Sequence, residues 1–208
     1  RQDQVKGVMN LDYCERARPF AAWQVDLAMA IAGQLALALE NTRLYAEAQE
    51  RLRETTTLLA VGDVLSRPAP GVEVMRRVAR EVARAFGADG VGAYVLDGAR
   101  EALVPVAGYH VPREPVETFR QRPFVLAQFP WLQRAWQGAK VAFSSNPLNA
   151  AEFDPAWVGV LPPHSVLFAP TTARGELVGG LFLLWWQAGR SFTPAEVRLV
   201  EGVAAQVG

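Results

Sequence analysis

Apolar residues recur along this chain with two different periods, and clusters of proline and glycine separate them. Residues 4–13 (QVKGVMNLDY) read as a short strand with Gly7 inside it. Between Ala21 and Ser66 there is no proline, the glycines are Gly33 and Gly62, and Ala, Leu, Glu, Gln and Arg dominate. These are good helix formers, and their spacing predicts one helix over 22–66. At ~1.5 Å per residue it would be about 65 Å long, more than the width of a small domain, so part of it lies outside any one core. Arg67-Pro68-Ala69-Pro70-Gly71 ends it.

A second helix is predicted over 72–86, where Val74, Val78, Val82 and Ala85/Phe86 recur at helical spacing and Gly87 suits the left-handed residue past its end. Strand-like runs follow at 91–96 and 102–107. Residues 113–138 are helical in patches and rich in large aromatics, 141–143 look like a short strand, and 146–163, with four prolines, read as irregular loop. Residues 166–170 and 176–186 form a hairpin across Ala173-Arg174-Gly175. Thr193-Pro194-Ala195-Glu196 is a capping box with proline at the first helical position, so a last helix starts there. The strands 91–96 and 177–186 are apolar at both alternating positions, as a sheet covered on both faces requires.

The end of the chain repeats its beginning. With no gap, Gly7 falls on Gly179, Leu11 on Leu183, Arg18 on Arg190, Phe20 on Phe192, Val25 on Val197, Leu27 on Leu199, Ala32 on Ala204 and Gln34 on Gln206. Met9/Leu181, Tyr13/Trp185, Ile31/Val203 and Leu35/Val207 are conservative replacements in the same register. The order of features is also the same: a strand with a glycine, a basic loop, a phenylalanine, an amphipathic helix. The chain is therefore expected to be a slice through a tandem array. In it, residues 1–21 are the last strand of an upstream domain, 22–66 a connecting helix, and 67–208 a second domain that lacks the end of its final helix.

Composition narrows the partners. Twenty-one basic residues balance 21 acidic ones, which leaves no electrostatic footprint for nucleic acid or an anionic membrane. A single cysteine, Cys14, allows no internal disulfide and suits a reducing, cytoplasmic setting. No uninterrupted apolar run reaches ~18 residues, so no transmembrane helix is expected.

The long helix carries a seam of its own. Leu27, Ile31, Gln34, Ala38, Asn41, Tyr45, Ala48, Leu52, Thr55 and Leu59 alternate four-residue and three-residue steps. Beside them run Val25, Ala28, Ala32, Leu35, Leu39, Thr42 and Ala46. One stripe can pack on the helix's own sheet and the other on a second copy of the chain, as a parallel homodimer through Leu27, Ile31, Ala38, Asn41, Tyr45, Leu52 and Leu59. Asn41 would set the register at a cost in stability. A seam so rich in Ala, Gln, Asn and Thr is weak, which suits a relay with two registers close in energy.

Segments of 102–203 resemble a GAF domain, a small-molecule sensory module of bacterial signalling proteins. The resemblance is carried by residues 103–108 with Tyr109-His110-Val111-Pro112, by Trp136-Gln137-Gly138-Ala139-Lys140-Val141 and by Ser165-Val166-Leu167-Phe168-Ala169-Pro170. It continues through residues 174–180, Phe192-Thr193-Pro194-Ala195-Glu196 and residues 200–204, while residues 34–45 are similar to the exit helix of such a domain. The resemblance implies an α+β fold: an antiparallel sheet of about six strands, entry and exit helices on one face, and short helices roofing a pocket on the other. It implies a regulatory role in signal transduction, with a histidine kinase or a diguanylate cyclase as output outside this stretch. The alternatives are a ligand-free dimerisation spacer and a cofactor-bearing photo- or redox sensor.

Candidate chemistry is sparse. Histidines stand at 110 and 164, no His/Asp/Glu cluster has metal spacing, and no phosphate-binding glycine loop appears, so no catalysis is expected from these residues. Relatives of the family that bind bilins use a cysteine in the roof region, and residues 111–163 contain none. The cyclic-nucleotide pattern of other relatives is broken, because Pro147 follows Asn146 and Asp154 follows Phe153. A haem ligand such as His164 stays open, and no cofactor is identified. What stands out is the aromatic loading: Phe124, Phe129, Trp131, Trp136, Phe143, Phe153 and Trp157, with Trp185-Trp186 nearby. These rings either fill the pocket or line it for an apolar ligand. In the second case the contact residues are Phe129, Trp131, Trp136, Phe143, Ser144, His164 and Phe168, with Ser144, Ser145 or His164 as polar anchors.

Overall fold

The computed structural model describes residues 5–14, 16, 18–114, 117–118, 123–147, 162–187 and 189–208. It divides into two compact units, residues 1–53 and 54–208.

Unit one holds residues 5–20 and most of helix α1 (Ala22–Ser66). The described residues 5–13 are not a strand, and Val5 and Val8 are over four-fifths exposed. A strand needs a ladder partner for its N–H and C=O groups, and the described residues of this unit provide none. Polar contacts nevertheless tie the segment to the helix. The Tyr13 hydroxyl donates to Gln24 at 3.0 Å, and Lys6 pairs with Glu40 at 3.1 Å. Arg43 and Lys6, both bonded to Glu40, hold its carboxyl down at about 2. Contrary to the expectation from uninterrupted apolar runs, α1 is by length and composition long and apolar enough to cross a membrane, and its apolar stretch is not buried. Gln24, Asp26 and Gln34 interrupt that stretch without removing its overall apolar character.

Unit two contains the six-stranded antiparallel sheet. Its strands are β1 (Gly90–Leu96), β2 (Ala102–Tyr109), β3 (Phe124–Val125), β4 (Ala142–Ser144), β5 (Ser165–Ala173) and β6 (Glu176–Trp185), in the spatial order β3-β2-β1-β6-β5-β4. The helices are the last turns of α1, α2 (Gly71–Phe86), α3 (Pro130–Gly138) and α4 (Pro194–Val207). Local chemistry sets their ends. Gly87 is left-handed past α2, with φ 58°. Thr193 and Glu196 cap α4 reciprocally. Arg174 and Gly175, at φ 52° and 84°, make the two-residue turn of the β5–β6 hairpin.

Period-two alternation divides the sheet's side chains between two cores. Val91, Ala93, Leu167, Ala169, Leu181, Leu183 and Trp185 face the helices, where they meet Val78, Val82 and Phe86 of α2 and Leu199, Val200 and Val203 of α4. Leu58, Val61, Val64 and Leu65 of α1 join the same core. The boundary read at residue 67 is thus the end of a helix but not of a packing unit, and the domain's core takes in three more turns of α1. Tyr94, Val166, Phe168, Phe182 and Leu184 face the opposite way.

Candidate functional site

The second core is an aromatic layer. Phe182 sits at its centre, with ring centroids 4.7 Å from Phe168, 5.0 Å from Tyr94, 5.4 Å from Phe124 and 6.0 Å from Trp131. Phe129 stands edge-on to Phe124 at 5.4 Å, and Trp131 to Phe168 at 6.3 Å. Edge-to-face and offset arrangements at these distances are the favoured ones for aromatic pairs. Two strand positions make room for the rings. A Cβ on Gly180 would stand 2.3 Å from the Phe168 ring, and one on Gly92 would stand 2.8 Å from Tyr94. Burial pushes the Tyr94 hydroxyl well above its usual titration range.

The seven candidate contact residues separate. Phe129, Trp131 and Phe168 are buried in the aromatic layer, and Trp136 of α3 packs against it. Ser144 is half-buried at the end of β4, where its Oγ accepts from the Asn146 N–H at 3.3 Å. Phe143 points the other way: neighbouring Ala142 packs on the aromatic layer, while Phe143 is half exposed and meets the Phe192 ring, tilted at 46°, at 4.9 Å, on the helix side. His164 is exposed just before β5 and enters through its backbone, whose N–H donates to Trp185 at 2.9 Å. Ser145 donates to the Arg190 carbonyl and is not part of the layer. Phe153, Asp154 and Trp157 lie outside the described residues. Sequence reasoning did not place Tyr94 or Phe182 in this site, although both stand in strands whose alternation it had read.

His110 is exposed in a left-handed turn, φ 52°, stacked on Tyr109 at 4.0 Å. Among the described residues no group of three or more His, Cys, Asp or Glu could hold a metal ion. Cys14 is exposed in unit one. Among the described residues the layer offers mainly apolar contact.

A second constellation closes the sheet on the helix side. The Arg190 guanidinium lies 4.4 Å over the Trp185 ring and donates to Glu196 at 2.7 Å and to the Phe86 carbonyl at 3.2 Å. Trp185 stands edge-on to Phe192 at 5.3 Å, and its indole N–H donates to the Gly87 carbonyl at 2.8 Å. The Thr193 N–H donates to Glu196 at 3.0 Å. Cation–π and charge-assisted contacts of this kind join the end of β6, the end of α2 and the start of α4.

Three comparisons bear on this fold. Residues 72–208 match the model of the GAF domain family. The comparison with curated protein sequences found no match. Among solved structures, the GAF domain of a phosphoenolpyruvate-protein phosphotransferase from Coxiella burnetii is 15% identical with a TM-score of 0.63, covering 75% of this chain and 90% of that one. A domain of a putative two-component sensor histidine kinase from Sinorhizobium meliloti is 19% identical with a TM-score of 0.53, covering 68% and 90%. The free methionine-R-sulfoxide reductase from Neisseria meningitidis, solved with its substrate, is 16% identical with a TM-score of 0.60, covering 74% and 84%.

Proposed function

The chain belongs to the GAF domain family, and on that premise we propose that it is a sensory, regulatory module of a bacterial signal-transduction protein. A small apolar ligand or partner acts on the aromatic layer, and α1 and α4 carry the change to an output domain, with a sensor histidine kinase as the first choice. The structural neighbour from a putative two-component sensor histidine kinase favours this setting. GAF domains are generally regulatory, which favours a sensory role over catalysis by these residues.

One observation carries the proposal. β5 and β6 place consecutive side chains in opposite cores: Leu167, Leu181 and Leu183 under the helices, Phe168 and Phe182 in the aromatic layer. Interiors are close-packed and deform little, so a shift of the rings moves the strands and with them the helices. Phe129, Trp131, Trp136 and Phe168 are the contact residues kept for the ligand, with Ser144 at the edge. The close mutual packing of the rings favours a second reading, a ligand-free spacer whose aromatic layer is only a core.

A thermal-shift screen of small aromatic and aliphatic compounds, with mass spectrometry of the protein as purified, separates the two. A ligand at 100 times its dissociation constant adds about 2.7 kcal/mol, or several degrees in Tm. A co-purified compound or a shift removed by Trp136→Ala supports the sensor; no compound and no shift supports the spacer.

The helix seam from Ala38 through Asn41, Tyr45 and Leu52 to Leu59 is proposed as a homodimer contact. Tyr45, Leu52 and Leu59 are each about two-thirds exposed in the single chain. Light scattering is expected to give twice the 22.7 kDa chain mass, and Leu52→Asp to return it toward one. A wild-type monomer at high concentration removes the seam.

A further inference from the structure

The repeat seen in the sequence is also a repeat of contacts. The Arg18 guanidinium lies 4.0 Å over the Tyr13 ring, as Arg190 lies 4.4 Å over Trp185. Tyr13 and Phe20 also meet, face to face at 4.7 Å, where Trp185 and Phe192 meet edge to face at 5.3 Å. The Ala21 N–H donates to Gln24 Oε1 at 3.0 Å, as the Thr193 N–H donates to Glu196 Oε2 at 3.0 Å. Each pair keeps the register of Gly7 on Gly179. Three corresponding residue pairs in contact in one register, two of them through the same kind of contact, make a chance likeness of strand, loop and helix a poor account.

The copies differ in what covers them. Leu181, Leu183, Leu199, Val200, Val203 and Ala204 are at most 3% exposed, buried against the rest of their sheet and α2. Their counterparts are Met9, Leu11, Leu27, Ala28, Ile31 and Ala32. Met9, Leu11, Ala28 and Ala32 line an open groove of about 250 Å³, together with Phe20, Gln24, Val25 and the edge residue Met29. Leu27 and Ile31 are 52% and 45% exposed beside it. A contiguous apolar surface of this kind marks an interaction site.

We infer that residues 5–35 are the closing strand and helix of a second GAF-type antiparallel sheet, and that this groove is the seat of that sheet. In unit two, β6 lies between β1 and β5 and α4 packs on β5. Both are the last elements of their domain, so the strands that accept residues 5–13 and the face that covers Leu27, Ala28, Ile31 and Ala32 belong to a domain preceding this one in the polypeptide. The sheet of a second copy of unit two is no substitute, because it already holds its own β6 and α4. Leu27 and Ile31 then leave the homodimer seam, which starts at Ala38.

Thiol labelling in the complete gene product, carrying Cys14→Ser, tests this. Single cysteines replace residues 26–28 and 31–33 in turn, and Val200→Cys and Glu201→Cys serve as internal standards for a covered and an open position. Docking on a sheet slows alkylation at least ~10-fold for Leu27→Cys, Ala28→Cys, Ile31→Cys and Ala32→Cys, while Asp26→Cys and Gly33→Cys, outside the groove, react like the open standard. Three other patterns overturn the inference. Protection all round the helix, Asp26→Cys and Gly33→Cys included, indicates a membrane span. Protection at Leu27→Cys and Ile31→Cys only, with disulfides between copies, indicates a helix–helix seam. Fast reaction at every position indicates a free surface.

Discussion

Phe182→Ala is expected to destabilise the domain by about 3–5 kcal/mol, the cost of deleting a large buried ring whose neighbours cannot close the gap. Phe182 is 2% exposed and touches Phe168, Tyr94, Phe124 and Trp131 through its ring. Those four rings are fixed by different elements, β5, β1, β3 and α3, so no single movement refills the space. In a domain of this size each kcal/mol is worth roughly 2–4 °C in Tm, so a fall of about 10 °C is the expected scale. Phe143→Ala is the control. Phe143 is 48% exposed and touches Phe192 alone among the described rings, and its loss should cost under about 1.5 kcal/mol. Denaturant titration reads both. A Phe182→Ala cost as small as the control's would mean that the layer is loose and already has room for a ligand, which would favour the sensor over the spacer.

The parts of this fold that were legible in the sequence are those set by near neighbours. The capping box at Thr193, the left-handed Gly87 and the Arg174-Gly175 turn depend on a few consecutive residues, and each is present where the pattern placed it. The two-sided burial of β6 was legible because its ten residues form a run long enough to show apolar side chains at both alternating positions. β3 was not, since it has two residues and exists only through pairing with Ala102 and Leu103. The limits of the candidate site have the same origin. Composition found its aromatics, but a single step in strand parity decides which face a ring takes. Phe168 therefore joined the layer, whereas Phe143, one residue from Ala142, went to the helix side. Residues 5–13 carry a strand's pattern without being a strand, because the pattern encodes a side-chain face and the ladder must come from a partner.

That last distinction makes one pair of glycines informative. Gly179→Ala is expected to cost about 3 kcal/mol or more, at the upper end of overpacking. Its new Cβ would lie 2.2 Å from the Tyr94 carbonyl oxygen and 3.2 Å from the Val95 Cα. These are backbone atoms of β1, held in the ladder where Val95 pairs with Gly179, so β1 and β6 would have to part. Gly7 is the counterpart of Gly179, and a Cβ there meets nothing within 4 Å. Gly7→Ala should therefore lie within about ±0.5 kcal/mol in this 208-residue chain, as at other open positions. If residues 5–13 enter a second sheet as β6 enters its own, the same substitution becomes costly once that sheet is present. Comparing Gly7→Ala in the 208-residue chain and in the complete gene product thus reads the ladder directly, through the backbone and independently of the helix face probed by thiols. A neutral effect in both would leave segment 5–13 without a sheet and confine the repeat to the helix and its cap.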